Sequence, residues 1–388
     1  MAEVVSTCSA NDTSGNTSNG GAWYTTITDW EAAAQTGSAT NAAQTVECYN
    51  DFPALEPTEA GLSIGGWSAT NAGNHPTIRA ATGQGHNGVP GDGFILSLST
   101  AMTVEQSFTL IQDIGISTNV AGMNSPVLTT QNATGVVYER LVCFFDANSH
   151  GFNVDSGSNP TYRNLLVRGS IDGIAINCNG TNVVAENCTV TDYVRSGFYV
   201  NATTSVTNCV ASSSGANGDF ENVSPGANNA SSDNTAPITG VVETDGVDYV
   251  QPSALDYTPT PSPGKLDGTG LDLSLTFTDD ITGATRTLPW EIGAYDIIGA
   301  PAGAVLTSGT VTGETQTTAT IGCTTDTAGG TLYWYVSTSA TPPSAADLKA
   351  GTGSVDFGNL VPTSGANTAG ATGLTANTTY YHYWIQST

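Results

Sequence analysis

Between positions 146 and 195 the chain carries the side chains from which acid–base chemistry is built. Asp146, Asp155, Asp172, Glu186 and Asp192 supply carboxylates, His150 an imidazole, and Arg163, Arg168 and Arg195 fixed positive charge. Two facing carboxylates can protonate a leaving oxygen and activate a water, and an acidic cluster holding calcium can work with a nearby base to remove a proton. Asp146 and His150 are the candidates for an acid–base pair, but the preferred reading is two solvated turn residues, and no catalytic residue is expected. The seven cysteines, Cys8, Cys48, Cys143, Cys178, Cys188, Cys209 and Cys323, lack the close spacing of a zinc site or a redox pair. They read as free buried thiols, and neither a metal nor a cofactor is expected.

The elements that must position these groups are repeats. Gly151-Phe152-Asn153-Val154, Gly173-Ile174-Ala175-Ile176 and Gly197-Phe198-Tyr199-Val200 recur at steps of 22 and 24. A second series, Asn164-Leu165-Leu166-Val167, Asn187-Cys188-Thr189-Val190 and Asn208-Cys209-Val210-Ala211, recurs at 23 and 21, with Arg140-Leu141-Val142-Cys143 one step of 24 earlier. Two short alternating strands per unit leave no room for a helix and cannot bury their own apolar face. Stacked coil on coil they can, each strand pairing in parallel with its equivalent about 4.8 Å along the axis. The fold class is therefore all-β, a right-handed parallel β-helix. Leu141, Leu165, Cys188 and Cys209 are expected as one interior column, with Cys143, Val167, Val190 and Ala211 beside it. Phe152, Ile174 and Phe198 should form another, with Val154, Ile176 and Val200. Asn164, Asn187 and Asn208 fall at a turn where stacked amides can bond along the axis.

Against this frame the acids fall out of register. Counted from the preceding asparagine or its equivalent, Asp146 lies at +6, Asp172 at +8 and Asp192 at +5, so no two share a rung position. The arginines are expected to pair with neighbouring acids on the outer wall. Trp23, Trp30 and Trp67 could stack on sugars, but so near the N-terminus they are expected to plug the open end of the core. Gly93-Phe94-Ile95-Leu96 reads as an earlier rung, and the polar stretch 224–234 as a surface loop. Val142, Leu166, Thr189 and Val210, between the interior positions, are largely apolar, so a loop or another subunit should cover that outer face.

The charge balance narrows the partners. Eight Lys and Arg stand against 34 Asp and Glu, a formal charge of −26. Phosphate backbones and anionic lipids are recognised by clustered Lys and Arg, so nucleic acid and membrane insertion are excluded as expectations. The opening MAEVVSTCSANDTSGNTSNGG has neither the basic flank nor the apolar core of a secretory signal. Either a signal has been removed or the protein leaves its cell by another route.

The stretches WYTTITDWEAAAQ, ECYNDF, the Asn-Cys rungs, LDYTPTPSP and EIGAYD resemble right-handed β-helix repeat proteins found among tailed-phage virion proteins and in exported bacterial proteins. The resemblance runs from Trp23 to Asp296. Its most specific part is the ending, where Ser262-Pro263, Leu266-Asp267-Gly268 and Ile292-Gly293-Ala294-Tyr295 match and Asp296 replaces the family's usual Glu. It implies a cap in which the chain crosses the last rung and seals it. From Pro301 the texture changes to short alternating strands with a helical insert at PPSAADLKAG. Leu374-Thr375-Ala376-Asn377-Thr378-Thr379-Tyr380 resembles the corner of a fibronectin type III domain, an Ig-like β-sandwich. That domain has seven strands and Thr378–Thr388 supplies the sixth, so either the chain continues or a neighbour donates the last.

The expected organisation is an N-terminal arm over 1–22, a β-helix with capping segments over 23–299, and a fibronectin III-like domain over 300–388. The expected function is that of a structural protein on the surface of a tailed-phage virion, a spike, fibre or head-decoration component, made in the host cytoplasm and serving adhesion to the host surface or a glycan. Its expected partners are other virion proteins, further copies of itself as a homo-oligomer, foremost a trimer, and a host-surface glycan; it is not expected to be an enzyme. The alternative is an exported polysaccharide lyase or hydrolase, or a bacterial adhesin, on the same scaffold.

Overall fold

The computed structural model describes residues 3–387 apart from 12–13, 38–41, 53–57, 69, 119–125, 146–149, 156, 172, 201–202, 213–217, 223–225, 234, 237–240, 243–248, 252–255, 260–265, 267, 297–305 and 326–329. The chain divides into two compact units, Met1–Ile298 and Gly299–Thr388.

The first unit is a parallel β-solenoid. Three sheets of ten, nine and seven strands run its length, and successive strands of the chain visit them in rotation. The expected columns of the second sheet hold. Cys143 pairs with Val167, Val167 with Val190, and Val190 with Ala211, all fully buried. In the third sheet the glycine alignment misplaces the middle rung by two residues. Phe152 pairs with Ile176, and Ile176 with Phe198, whereas Ile174 lies opposite Ser196. The corrected column closes on Phe220, whose ring stacks on Phe198 at 5.0 Å. Aromatic and aliphatic bulk, rather than the glycine, sets the register. Val200's side chain lies outside the described residues.

Two other expectations shift. Ile95–Leu98 is a rung of the second sheet, with Leu96 opposite Ile116, and not of the glycine column. Within 224–234, Gly226–Ala227 and Ala230–Ser231 are strands of one more rung, and Asn229 and Ala230 are fully buried. Small side chains fill the interior at this rung. At the other end, residues 4–8 do not behave as an arm: Val4–Cys8 pairs with Gln44–Cys48 inside the first sheet. An α-helix, Ile27–Gly37, then lays Ile27, Trp30 and Ala34 into the core, where Trp30 meets Trp67 at 6.1 Å between ring centroids. Trp30 and Trp67 thus close that end; Trp23 is half-buried, its indole N–H donating to Ser9 O at 3.1 Å.

The turn between the first and second sheets is the same in six rungs. Asp113, Arg140, Asn164, Asn187, Asn208 and Asn228 all adopt positive φ, between 49° and 62°. Asparagine and aspartate tolerate this left-handed conformation better than other non-glycine residues, which is why the position is written as Asn so often. The amides of Asn164 and Asn228 turn outward; that of Asn208 also turns outward and in addition lies 2.9 Å from the Asn187 amide along the axis.

They turn toward a strap. Residues 268–296 run back along the outer face of the second sheet almost without regular structure. Asn228 Nδ2 donates to Thr269 O at 2.7 Å, Asn208 Nδ2 to Leu271 O at 2.8 Å, and Asn164 Nδ2 to Asp279 O at 2.9 Å. Tyr295 Oη reaches Gly88 O. Leu266, Ile281, Ile292, Ala294 and Tyr295 pack on Val142, Leu166, Val210 and Ala230 in a second core. The apolar outer face is therefore covered by this chain itself, and the C-terminal segment crosses many rungs instead of sealing only the last. Gly293, at φ 105°, sits where a Cβ would meet Thr189 Oγ1 at 2.8 Å.

The second unit is a small sandwich-like pair of antiparallel three-stranded sheets. One orders Leu306–Thr312, Ala319–Thr325 and Gly365–Ala371; the other Asp356–Leu360, Thr331–Ser337 and Tyr381–Ser387. The expected helix is Ala345–Ala350, capped by Ser344 Oγ, which accepts from Asp347 N at 3.1 Å. The core is thin: Ile321, Trp334, Val336 and Ala371 are its buried members.

Candidate functional site

Asp146 and Asp172 lie outside the described residues. His150 is a structural acceptor: its Nδ1 takes the N–H of Ile174 at 3.0 Å, and burial, helped by Arg195, holds its imidazole below the usual range. The remaining candidates pair across rungs. Arg163 reaches Glu186 at 3.2 Å and Glu139 at 3.5 Å, Arg168 reaches Asp192 at 2.7 Å, and Arg195 reaches Glu221 at 3.5 Å. Asp155 accepts a long bond from Asn153 Nδ2, 3.4 Å. Among the described residues these groups are distributed along the wall and are not gathered at one point.

The pairing has a plan that the sequence spacing hides. On the outer face of the first sheet Glu47, Arg79, Gln112, Glu139, Arg163 and Glu186 occupy one row, each beside the next. Parallel in-register strands bring like positions together, so alternating charge becomes a ladder. Near one stretch of this ladder opens a polar cleft of about 430 Å3, lined by Glu47, Arg79, His86, Gln112 and Asp113 with Thr282 from the strap. Its groups are engaged. Glu47 meets Arg79 at 2.9 Å and Asp113 meets Arg140 at 2.5 Å. His86 Nε2 lies 2.7 Å from Arg140 O and Nδ1 accepts from Gly88 N, which fixes the neutral tautomer with its proton on Nε2; burial lowers the imidazole's pKa further.

The third sheet shows a different surface. Thr103, Thr129, Asn153, Asn177, Tyr199 and Glu221 form its outward row. Asn177 Nδ2 donates to Asn153 Oδ1 at 2.8 Å, an amide ladder along the axis. Hydroxyls, amides, one phenol and, at the end, the carboxylate of Glu221 follow one another here at the strand spacing of about 4.8 Å. The misread middle rung concealed this row, because the glycine register sets Asn153 beside Ala175 instead of Asn177.

A buried acidic pair lies within the strap. The carboxyls of Glu291 and Asp296 are within hydrogen-bonding reach, and Glu291 Oε2 and Asp296 Oδ1 find no other hydrogen-bond partner among the described residues. Burial, then the neighbouring Asp296, push Glu291 up to about 9, so the pair holds a proton at neutral pH. Beside it Arg286 spreads its guanidinium over the carbonyls of Asp279, Gly293, Ala294 and Tyr295 and over Asn164 Oδ1, at 2.8 to 3.1 Å. Asn187, with its amide oxygen turned to Arg286, accepts at 2.9 and 3.1 Å. This cluster fastens the strap to the turn column.

Comparison with known proteins finds no matching family model, no matching curated protein and no matching solved structure.

Proposed function

We propose that this chain is a structural surface protein of a tailed-phage virion, a right-handed β-helix that contacts a neutral glycan through the outward row of its third sheet. The observation that carries the reading is the wall itself. Its acids and arginines are zipped into inter-rung pairs, while the row from Thr103 to Glu221 offers hydroxyls, amides and the Tyr199 ring. Sugar hydroxyls are bound by such fixed polar groups, and an aromatic face receives the apolar face of the ring. The C-terminal unit is proposed as fibronectin III-like. In support, Tyr380 Oη accepts from Thr375 N at 2.9 Å, a tyrosine corner, and the strand orders 1-2-5 and 4-3-6 fit that topology.

The exported lyase or hydrolase remains the second reading because the cleft at Arg79 and Asp113 brings acids, an arginine and a histidine together. Incubation with acidic and neutral polysaccharides, with and without calcium, separates the two. Binding without depolymerisation is expected, weakened by Asn177→Ala and Tyr199→Ala; shortened polymer would overturn the structural reading. Antibody labelling of purified virions should decorate the particle surface, and labelling confined to the cell debris would count against it.

A further inference from the structure

Lys349 is the sole Lys or Arg of the second unit. It makes no ion pair among the described residues. Its Nζ stands instead 5.6 Å from the centroid of the Tyr333 ring, on the sheet formed by Asp356–Leu360, Thr331–Ser337 and Tyr381–Ser387. Trp334 and Val336 enter the core, so alternation turns Tyr333 and Tyr335 to the outer face. Two outward rows result: Phe357, Tyr335 and Tyr383 lie side by side in one, and Asn359, Tyr333 and Ile385 in the next. The first row is roofed. Tyr335 Oη donates to Thr352 O and Tyr383 Oη to Ser339 O, both at 2.9 Å, and Gly351 lies so close to the Phe357 ring that a Cβ there would collide with it. The second row is open, with Tyr333 and Ile385 half-buried and Asn359 exposed. The helix Ala345–Ala350 packs on the middle and last strands and brings Lys349 to the border of this row.

We infer that this row seats a carboxylated sugar, a uronic-acid residue of an acidic glycan. The apolar face of the pyranose lies on the Tyr333 ring, its carboxylate pairs with Lys349, and a hydroxyl bonds the Asn359 amide. An ammonium 5.6 Å from the ring is near the outer limit of attraction to its face, and the flexible stem lets it swing to a carboxylate. Charge complementarity decides the class: Lys349 is an uncompensated cation among neutral groups. The acids nearest it in the chain are engaged, since Asp347 Oδ2 accepts from Ser344 Oγ at 2.6 Å, and Asp356 Oδ2 accepts from Thr372 N at 2.6 Å and Thr372 Oγ1 at 2.9 Å. The chain's −26 repels a polyanion at a distance, but at physiological salt charges farther than about 8 Å are largely screened. An acidic peptide would satisfy the cation and leave the ring and the amide without partners, so it is the poorer guest. The site is separate from the outward row of the first unit, whose proposed guest is neutral, and neither reading rests on the other.

The test uses the full chain and three probes: a tetrasaccharide alternating glucuronic acid and N-acetylglucosamine, the same sugar with its carboxyls reduced to hydroxymethyl groups, and tetraglutamate. Titration followed by saturation-transfer NMR should give a Kd on the order of 1 mM for the acidic sugar and binding at least about fivefold weaker for the other two. Lys349→Gln, at an exposed position, should bring the acidic sugar down to the level of the reduced one. Tyr333→Ala should weaken both sugars by about fivefold, and Tyr333→Phe, which keeps the ring, should retain them. Asn177→Ala, in the outward row of the first unit, should leave the titration of the acidic sugar unchanged. Absence of binding overturns the inference, as does equal binding of the acidic and reduced sugars, or tetraglutamate binding as tightly as the acidic sugar. A Kd that Lys349→Gln and Tyr333→Ala leave unchanged, or that Asn177→Ala alone weakens, places the sugar elsewhere and overturns it too.

Discussion

Glu291 and Arg286 show how single residues hold the strap. An acid whose folded pKa is raised contributes stability that is complete below its unfolded value, near 4.5, and is lost as pH rises through the folded value, about 9. Asp219, pushed up to about 6 chiefly by burial, acts in the same direction over a lower window. Stability of the first unit should therefore decline from mildly acidic toward alkaline pH, and Glu291→Gln should flatten that slope; urea midpoints at a series of pH values measure both. Little of this was legible in the sequence. EIGAYD marked the segment, but nothing in it says that Glu291 and Asp296 fold against each other or that Arg286 is buried, because that depends on a path across rungs distant in the chain. His150 was visible as a histidine near an acid, yet its role as acceptor for the next rung's backbone follows only from stacking.

The rungs are where the sequence speaks most clearly. Alternation fixes which side chains of a strand point inward, so the second-sheet columns were readable directly, and Val190→Asp should block folding at a cost above about 4 kcal/mol. Soluble expression with a cooperative urea transition would contradict that. The third sheet was read two residues out in one rung because glycine, which lacks a side chain to bury, is a poor ruler. The corrected register makes Ile176→Ala cost about 2–5 kcal/mol, and Ile174→Ala less, in the same urea experiment. The strap carries no periodicity and could be recognised only as something that must cover an apolar face. Its tightest approach is Gly293, and Gly293→Ala should lower stability by about 1–3 kcal/mol, since it meets both a clash and a disfavoured φ.

At the scale of the whole molecule the buried cysteines report on where folding takes place. All seven are free and buried, and burial raises the thiols of Cys48, Cys143, Cys178 and Cys209 well above their ordinary range, which suppresses the reactive thiolate. Cys8 lies directly opposite Cys48 in adjacent strands, close enough in backbone for a disulfide to form in an oxidising compartment. Titration of the denatured, unreduced protein should return seven thiols per chain, and a count of three or fewer would place folding outside the cytosol. The strap has a further consequence, for how the molecule comes apart. A plain solenoid is nearly one-dimensional: each coil feels only its neighbours, and the array can fray from an end. Here Tyr295 reaches Gly88 across 207 positions, and bonds at Asn164, Asn208 and Asn228 lie between. The coils at the C-terminal end cannot peel away without stripping ties of a segment that also holds coils in the middle. The first unit should melt in a single sharp step, as a bound sheaf and not as a stack of separable layers.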